Sequence, residues 1–169
     1  MYELKTLSKE AIPTALQKAE RYRLLNEPSE AESICLDILQ ADPQNQTALI
    51  TLLLSLTDKF NHSINPAFSK AQEILSQLGD QHCRAYYGGI IFERRAKAHL
   101  ERGGPGSGHV AYDWFVKAMQ SYEQSMTSCS PGNQDAVLRW NSCARILNEN
   151  PEVSPGLDTD EVHVMDGWD

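Results

Sequence analysis

Between Ala19 and Asn45 the chain sets one helical stretch, a short turn, a second helical stretch and a proline stop, and that spacing leaves few folds open. Small residues stand at Ala19 and Ala31, where two antiparallel helices can approach closely, and Tyr22 and Leu39 are large enough to fill the space beside them. Pro13 suits the first turn of the first helix, where its missing N–H is no loss. Pro28 breaks the chain before the second helix, Ser29 and Glu32 have the spacing of a capping box for it, and Asp42-Pro43 ends it. A lone hairpin of this kind leaves one apolar face uncovered, so the rest of the chain has to supply more of them.

It does so at least twice. A second unit runs from 46 to 81. Its first helix, from Thr47 to Lys59, carries Leu49, Ile50, Leu52, Leu53, Leu54 and Leu56 and is apolar nearly all round, as a helix covered on several sides must be. Asn65-Pro66 reads as a cap followed by a first-turn proline; Ala67, Ala71, Ile74 and Leu75 form the stripe of the next helix, which Gly79-Asp80 closes. A third unit occupies 82–132, with Gly89 as a close-approach residue, Phe92 as a filler, and Ala118, Tyr122 and Ser125 at small, large and small places on its second helix. Between its helices lies an insertion near 95–110, with Gly103-Gly-Pro-Gly-Ser-Gly108 at its centre. That predicts a finger projecting beyond the body, mobile at its tip and dispensable for folding. A last helix over 134–148, striped by Ala136, Trp140, Cys143, Ala144, Ile146 and Leu147, ends at Asn150-Pro151.

The length, the Ala–Tyr–Ala placement and the closing Asp-Pro-x-Asn resemble the 34-residue tetratricopeptide repeat. The resemblance implies an all-α fold: antiparallel helix hairpins stacked as a short right-handed solenoid, about three repeats (12–45, 46–81, 82–132) plus a C-terminal capping helix, in a single domain spanning 1–151. It also implies that Tyr22, Phe92 and Tyr122 are buried fillers.

Charge separates that body from its end. The chain holds 23 acidic and 15 basic residues. Six of those acids lie from Glu152 onward with no Lys or Arg, so residues 1–151 keep 17 acids against 15 bases, a balance of only −2. A near-neutral body with an acidic stretch at 152–169 argues against nucleic acid and anionic membrane surfaces as partners. The stretch reads as a flexible tail, although Val162, Val164, Met165 and Trp168 suggest a segment able to lie in the protein's own groove or a neighbour's, a route to a homodimer. The N-terminus has no apolar core of a signal peptide, and the greasiest run, Thr47 to Leu56, is too short to span a bilayer. Cys35, Cys83, Cys129 and Cys143 form no CxxC pair and read as free thiols in a reducing compartment. A cytoplasmic protein is expected.

Catalytic and ligand signatures fail on inspection. Gly103-x-x-x-x-Gly108 echoes a phosphate-binding loop, yet His109 and Val110 stand where lysine and a hydroxyl residue are needed, and a helix rather than a strand precedes it. The five histidines have no i, i+4 partner, and His82-Cys83 is adjacent rather than on one helix face, so no metal or cofactor is expected. The basic run Glu93-Arg94-Arg95 with Lys97 and Arg102 reads as a solvated helix face. No enzyme activity is expected.

In tetratricopeptide proteins the first helix of each repeat lines a concave surface that takes up a peptide or helix of a partner. Carried over residue by residue, that face comprises Leu16, Glu20, Arg23 and Leu24, then Thr47, Ile50, Leu54 and Asp58, then Tyr86, Ile90, Glu93 and Arg94, and finally Trp140 and Ala144. It is apolar and aromatic at its centre with charges at its edge. The Lys/Asn clamp by which some relatives hold a terminal carboxylate is absent, since Leu16 and Glu20 stand in its place. The resemblance therefore implies a non-catalytic protein–protein interaction scaffold or adaptor, with two alternatives: a small cytosolic chaperone of a bacterial secretion system, or a self-assembly module with the tail docked in the groove.

Overall fold

The computed structural model describes residues 1–62 and 64–156. The described residues form a short 3-10 turn, Lys9–Ala11, and seven α-helices with no strand: α1 Ile12–Leu24, α2 Pro28–Ala41, α3 Gln46–Thr57, α4 Ile64–Leu75, α5 Gln81–Arg102, α6 Ser107–Met126 and α7 Asp135–Glu149. Each helix packs on the next in the chain, and α3 also touches α1 and α5.

The local grammar is mostly as the sequence predicts, with informative departures. The α1–α2 turn closes through Glu27 N–H to Tyr22 O at 2.9 Å and Asn26 N–H to Arg23 O at 2.9 Å. Asn26 takes the left-handed conformation this motif demands, φ +60°, which asparagine tolerates better than most side chains. Pro28 is already helical, so Glu27 takes the cap position and Ser29 does not cap. Glu32, freed from a capping box, instead pairs with Lys59 beyond the end of α3. Likewise α4 starts at Ile64, which makes Asn65 its second residue rather than its cap. Asn45 does cap α3, accepting from Ala48 N–H at 3.0 Å. Asp80 caps α5, accepting from the amides of His82 and Cys83, and hydrogen bonding from Cys83, its side chain first and then its amide, holds the carboxyl below the usual carboxylate range.

α3 sits at the centre, as its all-round apolarity requires. Ala48, Leu49, Leu52, Leu53 and Leu56 are buried. The hydroxyls of Thr51 and Ser55 donate to carbonyls one turn back on the same helix, those of Thr47 and Thr51, at 2.9 and 2.8 Å. One core gathers Ala19, Cys35, Leu52, Leu53, Leu56, Phe60, Ala67, Ala71 and Ile91. A second joins α5, α6 and α7 through Ile90, Ala96, Phe115, Tyr122 and Cys143. Leu54, Tyr87 and Phe92 touch both. Two expected fillers hold their places: Tyr122 is fully buried and Phe92 half-buried. Tyr22 does not. Ala19, Ile34 and Cys35 close the α1–α2 seam, and Tyr22, in the last turn of α1, is left 38% exposed. Cys35 and Cys143 are buried free thiols pushed up to about 12 by burial, whereas Cys83 and Cys129 are half-buried.

The insertion is not a projecting finger. α5 and α6 pack along their length, with Ala96, Ala98, Ala111 and Phe115 buried in the body. The chain after α7 then crosses the start of α6: Val153 is buried, His109 Nδ1 lies 2.7 Å from Ser154 O, and a Cβ on Gly108 would stand 2.3 Å from Glu152 O. Only Gly103, Gly104 and Gly106, at positive φ with open space around them, match the expected free tip. The packed body accordingly runs past residue 151 to include Val153.

Two neighbouring glycines on α5 give opposite predictions. A Cβ on Gly89 would lie 2.5 Å from the buried Tyr122 ring, so Gly89→Ala should destabilise by about 1–3 kcal/mol through overpacking. A Cβ on Gly88 would meet only Leu75 Cδ2 at 3.4 Å, and Gly88→Ala should be neutral or stabilise by about 0.5–1 kcal/mol through helix propensity. Urea unfolding of both variants checks the contrast.

Candidate protein-binding surface

The expected surface residues separate into three groups. Arg23, Asp58 and Arg94 come together across α1, the end of α3 and α5: Arg23 Nε lies 2.8 Å from Asp58 Oδ2, and Arg94 Nη2 lies 3.7 Å from Asp58 Oδ1. Glu20 and Leu24 of α1, and Thr47 at the far end of α3 from Asp58, are exposed, Leu24 at 83%. Leu16, Ile50, Tyr86 and Ala144 are half-buried, and Leu54 packs into both cores. Tyr86 stands edge-on to Tyr87, with ring centroids 5.1 Å apart.

Two residues do not belong to any surface. Ile90 is 3% exposed and part of the second core. Glu93 is 1% exposed, so it cannot be the charged rim of a groove. Trp140, the third departure, turns its indole N–H to Glu123 Oε1 at 2.9 Å, which ties α7 to α6.

Glu93 sits in a fixed polar joint that sequence reasoning missed. Its Oε2 accepts the Tyr122 hydroxyl at 2.6 Å, and its Oε1 faces Lys97 Nζ at 2.5 Å and Arg139 Nη1 at 3.3 Å. A carboxylate taken out of water needs such partners, because an unpaired one costs several kcal/mol. Three helices are thereby joined at one point: α5 by Glu93 and Lys97, α6 by Tyr122, α7 by Arg139. Burial first, then the Glu93 charge, pushes the Tyr122 phenol above its ordinary range, which keeps it a proton donor. The i, i+4 spacing of Glu93 and Lys97 was a visible signal. Nothing local in the sequence marks Arg139 as the third partner.

The basic run read as a solvated face is likewise not one. Lys97 is committed to Glu93, Arg94 to Asp58, and Arg95 packs on aromatic rings, leaving Arg102 as its exposed member. Among the described residues no group of three or more His, Cys, Asp or Glu side chains is arranged to hold a metal ion, and no helix is long and apolar enough to cross a membrane. The tail contacts suggested for Val162 to Asp169 lie outside the described residues. No family model, no curated protein and no solved structure matches the chain.

The joint makes a prediction with a pH signature. Tyr122→Phe removes a buried hydrogen bond to a charged group and should cost about 1.5–3 kcal/mol at pH 7. A phenol raised in the folded state supports folding fully below the unfolded value near 10 and loses that support as pH rises further. The wild type's advantage over Tyr122→Phe should therefore shrink above about pH 10. Urea titrations at pH 7 and pH 11 check both the size and the sign.

Proposed function

We propose that this domain is a non-catalytic scaffold that holds a segment of another protein on the face shared by α1, α3, α5 and α7, with its helix hairpins stacked in the manner of tetratricopeptide repeats. The observation that carries the reading is the Arg23–Asp58–Arg94 bridge. It links α1, the end of α3 and α5, three helices that are not successive in the chain, which supports reading their outer stripes as one surface. Exposed Leu24 and Glu20 and half-buried Leu16, Ile50 and Tyr86 give that surface apolar contact area beside charge, and preorganised side chains cost little to order on binding. The loss of Ile90 and Glu93 to the interior narrows the apolar centre to Ile50, Leu54 and Tyr86. The reading makes no use of a bound cofactor, metal, nucleic acid or membrane.

Photo-crosslinking tests it by position. A benzoylphenylalanine placed at Glu20, Leu24 or Thr47, all exposed, should give a discrete protein adduct in extract from the source cells. The same group at exposed Glu30 or Leu36 of α2 should not. Equal labelling from both sets, or none from either, would remove this face as the binding surface.

A further inference from the structure

Successive residues on a helix point about 100° apart, so Arg95 turns away from the Arg94–Asp58 bridge and onto Phe68 and Trp114, two rings that line a groove between α4 and α6. The groove has a volume of about 600 Å³; Phe68, Phe92 and Trp114 form its apolar part, and Gln72, Gln120 and Gln124 stand along its walls. The rings are in mutual contact, with centroids 5.5 Å apart for Phe68 and Trp114 and 5.6 Å for Phe92 and Trp114. The guanidinium carbon of Arg95 lies 4.1 Å from the Phe68 ring centre and 4.2 Å from that of Trp114. Lys117 Nζ lies 4.3 Å from the Trp114 ring.

No acidic side chain among the described residues partners these two cations. Among the described residues neither Arg95 nor Lys117 has a carboxylate within ion-pair distance, the Arg95 Nε–H is buried without an acceptor, and no acidic side chain lines the groove. Two cations held on one indole are attracted by the ring but leave their hydrogen-bonding capacity unused. A carboxylate would complete them. The three glutamines offer paired donors and acceptors, which match the amides of an extended backbone, and the rings offer a bed for an apolar side chain. Base stacking fits less well, because the cations already crowd the Trp114 ring.

The geometry points to the α4–α6 groove as a docking site for an extended peptide that sets a carboxylate beside an aromatic or aliphatic side chain. The occupant is chosen by charge complementarity: Lys117 in an acid-free groove, with Arg95 against two of its rings, selects acid, and the half-buried rings select apolar surface. This site lies apart from the α1–α3–α5 face and does not rest on the function proposed for it. The chain itself writes such a sequence at Leu157–Asp169, which combines five acids with Val162, Val164, Met165 and Trp168 and has no basic residue except His163.

That peptide, residues 157–169 made separately, is the probe. It is added to the full-length protein up to about millimolar, the level a tethered copy would itself set, and the indole N–H signal of Trp114 is followed by NMR. The expected result is a saturable shift of Trp114, weakened by salt. Affinity should fall about tenfold or more when the peptide's Asp and Glu are replaced by Asn and Gln, and when the protein carries Arg95→Gln. Lys117→Gln should weaken binding in the same direction; Lys117 is exposed and pairs with no carboxylate, so this variant guards against a folding defect in the first. No saturable shift, equal binding of the neutral peptide, unchanged binding by both variants, or shifts confined to the residues around Arg23 and Arg94 would each overturn the assignment.

Discussion

A carboxylate that has lost its water, Glu93, governs how the C-terminal half of this molecule is put together. Its charge is tolerable only while Tyr122, Lys97 and Arg139 surround it, and those partners sit on three helices. Any rearrangement that separates α5, α6 and α7 strands a buried charge, so the joint restricts the three helices to one relative placement. Apolar packing alone specifies placement less sharply, since many hydrophobic arrangements of similar volume are close in free energy.

The neighbouring residues extend the same logic around α5. Glu93, Arg94 and Arg95 are successive, point in different directions, and hold different parts of the molecule. The first reaches α6 and α7, the second reaches Asp58 at the end of α3, and the third lies on Phe68 of α4 and Trp114 of α6. One turn of one helix thus fastens most of its neighbours with charged groups, while Leu54, Tyr87 and Phe92 join the two apolar cores beneath. Charged groups make contacts on two sides of α5. The α1–α3–α5 face is held by the Asp58 bridge, and the α4–α6 groove by Arg95 and its rings. For the binding role proposed above, such preorganisation means that less freedom is lost when a partner binds.

Much of the fold was legible because helices announce themselves through short-range signals. Proline and Asx punctuation marked some helix ends, Pro28 and Asp42-Pro43 bounding α2 and Asn150-Pro151 ending α7, although α4 stops at Leu75, short of Gly79-Asp80; the all-round apolarity of Thr47–Leu56 marked the helix that is covered on several sides. The misreadings share a cause: they concern which long-range contact a side chain finds. Glu32 has the spacing of a capping residue but pairs with Lys59 across the hairpin. Tyr22 occupies a filler place, yet Ala19 and Cys35 already close that seam. The glycines at 103–108 suggested a free finger, but Gly108 lies under the returning chain at Glu152. The charges of Glu93 and Arg95 suggested solvent, because no local pattern tells a charged residue on an exposed helix face from one that meets partners far along the chain.

Native-state hydrogen exchange on the Glu93→Gln protein tests the central role of the buried carboxylate most directly, since it reads local stability helix by helix. Glutamine keeps the shape and can still accept from Tyr122, but it cannot balance Arg139 and Lys97. Amides of α7, Asp135–Glu149, should lose protection well beyond any loss in α1 to α3. Equal loss across all helices, or unchanged protection in α7, would contradict that role.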